Sequence, residues 1–266
     1  MQWGESMAWR EVVFQYDGTY EGFLCCVFES YTHKEFPTAF YDDEEFFTLY
    51  EVRTVQTVPA HAKRVQSSIE RVSPTAGQLL RRAFLTCMDR KEERLYSCVR
   101  KLYAQGDGFL KNISDPVYLP IHRALRHMAG EVEKYRGFVR FSDYSGVLGA
   151  EIAPKNRVLP LLRRHFCSRY ANERFFIYDR THREMLLYAA GRSRIARVDG
   201  LQLDAPDSAE VFYRTLWKRF FDSVSIAPRE NPRCQNSFLP KRYRDVMTEF
   251  LPADAGTTPA MPPAKP

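Results

Sequence analysis

Apolar residues recur at three- and four-residue spacing through the first half of the chain and at two-residue spacing through much of the second. Val12 to Tyr16 forms a short apolar and aromatic run, and Asp17-Gly18-Thr19 follows with turn and capping chemistry, so a strand leads into a helix. That helix is predicted over 20–31, with Phe23, Leu24, Val27, Phe28 and Tyr31 on one wide face. Glu51 to Val58 alternates as a strand does. Ser73-Pro74 supplies a cap and a preset first turn for a helix reaching Met88, on which Leu80, Phe84, Cys87 and Met88 face one way. A second helix carries Leu95, Cys98, Val99 and Leu102 up to the break at Gln105-Gly106-Asp107-Gly108. Asp115-Pro116 opens a third, whose positions Ile121, Leu125, Met128, Val132 and Tyr135 keep the helical period over five turns.

Beyond it the period shortens. Strands are predicted over 138–144, 147–152, 175–178, 185–189 and 195–198, with a helix over 156–170 between the second and third. Short connections favour antiparallel hairpins. Asp207-Ser208-Ala209-Glu210 has the form of a capping box for a helix carrying Val211, Phe212, Leu216 and Phe220. The expected fold is therefore α+β: a helix-rich amino-terminal half, then a mostly antiparallel sheet packed with helices. The working division is 1–110, 111–250 and a disordered proline-rich tail over 251–266, which holds five prolines.

Composition narrows the class. Of 266 residues, 44% are hydrophobic and 27% charged, which excludes collagen-like and low-complexity chains. No apolar run approaches the roughly 18 residues of a membrane helix, and the first residues lack the basic start and apolar stretch of a secretory signal. A cytoplasmic location and no membrane association are expected. The six cysteines include no C-x-x-C pair, so most of them read as buried small hydrophobes and the set does not read as a disulfide framework.

Charge is unevenly distributed along the chain. Residues 1–58 hold three lysines and arginines against eleven acidic residues, a balance of −8. With +6 overall, the remainder stands at +14, and a basic body of that kind suits a polyanion. Basic and aromatic residues alternate at 136–141, at Arg163-Arg164-His165-Phe166, at Lys218-Arg219-Phe220-Phe221 and again at 241–244. Guanidinium groups fork onto phosphates while aromatic faces stack on unpaired bases.

Catalytic signatures are sparse. There is no H-E-x-x-H, Walker loop, G-x-G-x-x-G or G-x-S-x-G. His122 and His127 are too far apart around a helix to share an ion, so neither a metal nor a cofactor is expected. Two weak acid/base sets stand out. Asp17 and Glu21 flank a strand-to-helix turn, where Asp17 equally suits a cap; His127 and Glu131 share a helix face, where a surface pair is the simpler reading.

Three strings carry a resemblance: residues 16–23 (YDGTYEGF), 137–141 (GFVRF) and 239–243 (LPKRY). Together, in this order over about residues 12–250, they resemble a bacterial family of DNA-metabolism and DNA-repair proteins. Members of that family are encoded beside a radical SAM protein, and a related region is fused ahead of uracil-DNA glycosylase-like domains. The resemblance implies a DNA-associated accessory protein with a radical SAM enzyme as its partner. The nucleic-acid contacts expected from the basic and aromatic runs together with this resemblance are Arg140, Arg163, Arg164, Lys241, Arg242 and Tyr243. Where the family has an E-A-H stretch, this chain reads Glu131-Val132-Glu133, so Glu133 replaces the histidine. Two alternatives stay open: an enzyme acting directly on damaged or modified nucleotides, and an interaction module without nucleic-acid contact.

Overall fold

The computed structural model describes residues 9–42, 46–201, 208–224 and 231–250. The proline-rich tail and Asp207, the first residue of the expected capping box, lie outside them. The chain forms two compact units, Met1–His127 and Met128–Pro266.

In the first unit β1 (Arg10–Gln15) leads into α1 (Tyr20–His33), then β2 (Glu35–Tyr41), β3 (Val52–Thr54), α2 (Pro59–Val72), α3 (Pro74–Ala83), α4 (Lys91–Gln105) and the beginning of α5 (Tyr118–Phe138). The sheet is three-stranded in the order β2-β1-β3, and both pairings are parallel. Thr19 caps α1 by accepting from Gly22 N at 2.9 Å, and Lys34 closes the helix in the left-handed conformation (φ 55°). The chain then returns at once as β2, an edge strand that sequence reading misses because its alternation is weak. Ser73 caps α3 as expected, accepting from Ala76 N at 3.3 Å. However, α3 ends at Ala83, and the expected strand over 51–58 shrinks to three residues because Pro59 begins α2. One core joins these elements around Phe14, Phe23, Ile69, Leu80, Leu95 and Leu102.

The second unit holds the end of α5, then β4 (Ser142–Asp143), β5 (Leu148–Ile152), α6 (Leu159–Arg169), β6 (Phe175–Asp179), β7 (Glu184–Ala189), β8 (Arg192–Arg197), α7 (Ser208–Ser223) and α8 (Pro232–Phe238). Two short 3-10 turns, Lys241–Val246 and Thr248–Phe250, follow. The sheet runs β4-β5-β6-β7-β8. Three of its four pairings are antiparallel, and β5 and β6 are parallel, joined by α6 as a crossover helix. The fold is thus α+β, helix-rich first and then a mixed five-stranded sheet packed with helices. The expected strand over 138–144 is mostly helix and connection. Tyr135 and Phe138 continue the apolar stripe of α5 onto the buried ring of Tyr243, at 5.1 and 5.5 Å between centroids, and this packing prolongs the helix to Phe138. Ala150, Ile177, Leu186, Phe166 and Tyr243 lie in the core of this unit.

Candidate nucleic-acid interface

In the second unit a cleft of about 600 Å³ opens where the end of α5, the end of α6 and one face of α7 meet. Four arginines line it: Arg136 and Arg140 from the α5 terminus, Arg169 from the last turn of α6, and Arg214 from α7. Phe141, Tyr170, Tyr213 and Trp217 supply aromatic walls. Local sequence explains this convergence. Arginines at the ends of α5 and α6 face the negative ends of the helix dipoles, and α7 is seated by polar side chains. Glu210 Oε2 accepts from Asp143 N at 3.1 Å, and Arg214 donates to Glu210 Oε1 at 2.7 Å and to Ser142 Oγ at 2.6 Å.

The four guanidinium groups differ in what they have left to offer. Arg140 forks onto the buried carboxylate of Glu249 (2.7 and 3.3 Å) and lies over the Trp217 ring at 5.6 Å, so it braces the wall. Arg214 is committed to Glu210 and Ser142. Arg136 and Arg169 are exposed on the rim. The acidic neighbour of Arg136 is Glu133 at 2.6 Å, whose side chain is itself 67% exposed, and a solvated pair of this kind holds the cation weakly. Arg169 stacks over Tyr170 at 5.8 Å. Between them on α6 sits His165. Burial, and then the charges of Arg136 and Arg169, hold its imidazole below the usual value, and its Nε2 is buried without a hydrogen-bond partner.

The residues expected from sequence fall into three places. Arg140 lines the cleft. Arg163 and Arg164 are exposed on α6, where Arg163 donates to Ser193 Oγ on β8 at 2.7 Å. Lys241 is exposed, whereas Tyr243 is fully buried and Arg242 reaches inward to Glu131 Oε1 at 2.9 Å while donating to Tyr243 Oη at 2.6 Å. Glu131 is buried too. Its carboxylate also accepts from Lys155 N (3.0 Å), Asn156 N (2.9 Å) and Asn156 Nδ2 (2.6 Å), which ties the 239–243 segment and the connection leading into α6 to α5.

Of the acid/base candidates, Asp17 as well as Glu131 is occupied within the fold. Asp17 accepts from Thr19 N, Thr19 Oγ1 and Thr57 Oγ1 at 3.0, 2.7 and 2.7 Å. Burial pushes its carboxyl up, but those donors outweigh it and leave the group below the ordinary carboxylate range. Glu21 and His127 are exposed. Among the described residues no group of three or more His, Cys, Asp or Glu is placed to hold a metal ion, and no helix is long and apolar enough to cross a membrane.

Sequence reading passes over Arg136, Arg169, Tyr213, Arg214 and Trp217 as a set. The signal was present in part, because 18 of the 23 basic residues from Met128 onward are arginine, the cation suited to bidentate and stacked contacts. A family model described as a domain of unknown function, DUF4130, matches residues 89–249, about three-fifths of the chain. No curated protein and no solved structure matches.

Proposed function

The chain belongs to the DUF4130 family, whose matched span contains the whole arginine-lined cleft, and from that cleft, the basic charge and the sequence resemblance we propose that it is a DNA-associated protein of DNA metabolism or repair. Its second unit contacts the phosphate backbone, and it acts as accessory to a radical SAM enzyme. The observation that carries this reading is the pair of exposed guanidinium groups, Arg136 and Arg169, set beside aromatic walls in a unit rich in arginine. Phosphate contacts of this type position a protein on nucleic acid without reading its sequence. The radical SAM partner rests on the sequence resemblance, and the acidic balance of residues 1–58 makes the first unit the part of this chain suited to meet it. Direct chemistry on nucleotides has less support, since Asp17 and Glu131 spend their carboxylate oxygens on hydrogen bonds within the fold.

The test is binding of the purified chain to labelled DNA over a salt series, beside Arg136→Ala/Arg169→Ala. Each phosphate contact adds about −0.9 to the slope of log K against log salt on duplex, so the double variant should bind more weakly with a slope shallower by about 1 to 2. Absence of binding at about 50 mM salt, where such contacts are strongest, removes the proposal.

A further inference from the structure

Helix α7 carries an apolar stripe that the described residues of its unit leave exposed. Glu210, Arg214, Trp217 and Phe221 turn toward the rest of the unit, through the contacts of Glu210 and Arg214 above, Arg140 on the Trp217 ring, and Phe221 against Phe250 at 5.6 Å. One step around the helix, Tyr213, Leu216 and Phe220 recur at three- and four-residue spacing and face solvent, Tyr213 at 59% and Phe220 at 55% exposure. Large apolar groups exposed singly are ordinary, but a row of them on one helix face beside a cationic cleft marks an interaction site.

Resting on the reading of a DNA-associated protein, we infer that this stripe and the adjoining cleft form a stacking platform for the unpaired bases of single-stranded DNA. Charge and ring placement favour that occupant. Trp217 has the guanidinium of Arg140 5.6 Å from its ring centroid and the Phe220 ring 5.7 Å away and tilted by 33°, so neighbouring side chains support its position. Tyr213 and Phe220 flank it about 6 Å and about 4.5 Å along the helix axis, a spacing that successive unstacked bases can follow. The exposed cations Arg136 and Arg169 stand at the cleft rim, where the phosphates of such a strand would run. Bases within a duplex are already stacked and paired and cannot use these rings, so the platform selects for single strands.

The experiment compares a labelled 20-nucleotide single strand with the matching duplex by fluorescence anisotropy, using the full chain. The variants are Tyr213→Leu/Phe220→Leu, which keeps the apolar surface and removes the ring faces, and Leu216→Ala, which trims the apolar surface and keeps the rings. All three side chains are exposed, so folding is preserved, and thermal melting checks this. The single strand should bind the wild type at least about tenfold more tightly than the duplex. The ring variant should lose roughly tenfold or more on the single strand, with duplex binding and salt slope unchanged and Leu216→Ala close to wild type. Equal binding of both DNAs with no effect of the ring variant overturns the inference while leaving DNA association intact. Failure of both DNAs to bind at low salt removes both readings. Self-association of the wild type that Leu216→Ala abolishes and the ring variant retains assigns the stripe to a second copy of the chain and also overturns the inference.

Discussion

Replacing Glu131 by glutamine changes one atom and leaves shape and volume nearly untouched, so its effect isolates the buried carboxylate. Oε1 accepts from Lys155 N and is ion-paired with Arg242 at 2.9 Å, and Oε2 accepts from Asn156 N and Asn156 Nδ2. Whichever oxygen becomes the amide nitrogen, two of these four contacts are lost and an N–H₂ group is turned toward two other donors. A hydrogen bond to a charged group contributes about 1.5–3 kcal/mol, and removing one member of a buried ionic cluster costs about 3–5 kcal/mol. Because the Arg242 side chain is 35% exposed and water can reach part of it, the lower half of that range is expected, about 3–4 kcal/mol. In a unit of this size that lowers its melting temperature by about 10 °C. Urea unfolding followed by far-UV circular dichroism measures it, with Glu133→Gln as the reference. Glu133 lies two residues away on the same helix but pairs only with Arg136 in solvent, so its change should stay within about 0.5 kcal/mol. A Glu131→Gln protein within about 1 kcal/mol of wild type, or no more affected than Glu133→Gln, would refute the argument that this carboxylate ties α5, the connection leading into α6 and the 239–243 segment together.

Two further outcomes follow from the first unit. Glu35 is held below the ordinary carboxylate range by hydrogen bonds from Arg53, against the upward push of burial, and by Arg10; its contribution is therefore complete above about pH 4.5 and is lost as pH falls through its folded value. Melting temperature should drop less steeply below about pH 4.5 in Glu35→Gln than in wild type, and parallel profiles would count against it. At Gly22 an added Cβ would stand 2.2 Å from Asp17 Oδ1, so Gly22→Ala should cost about 1–3 kcal/mol, and less in an Asp17→Ala background; a double-mutant cycle by urea unfolding that proves additive would remove the steric cause.

Much of this fold could be read along the chain where local chemistry and packing agree. Ser73 caps α3, α4 ends at the glycine break after Gln105, and β6 and β7 stand within a residue or two of their expected ranges. Reading fails where a tertiary partner decides. Phe138 belongs to α5 because Tyr243, far along the chain, receives it, and β5 and β6 pair in parallel because α6 carries the chain across the sheet. The cleft was legible only as a surplus of arginine next to aromatics. Which of them meet depends on Glu210, Glu249 and Glu131, each of which draws a particular guanidinium inward and leaves Arg136 and Arg169 outside. Charge composition can count these groups but cannot pair them.

The ion pair of Arg140 with Glu249 spans 109 residues, and Arg242 returns to Glu131 over a similar stretch of chain. At about 5–20 residues added per second, roughly 5 to 20 seconds pass on the ribosome between the appearance of the first partner and the second. Before that point the second unit lacks Tyr243, Met247, Arg242 and Glu249, which fill its core or pair with α5 and the residues after it. Residues 241–247 are thus the last part of this core to be synthesised, and until they are, Tyr135 and Phe138 on α5 have no Tyr243 ring to pack against.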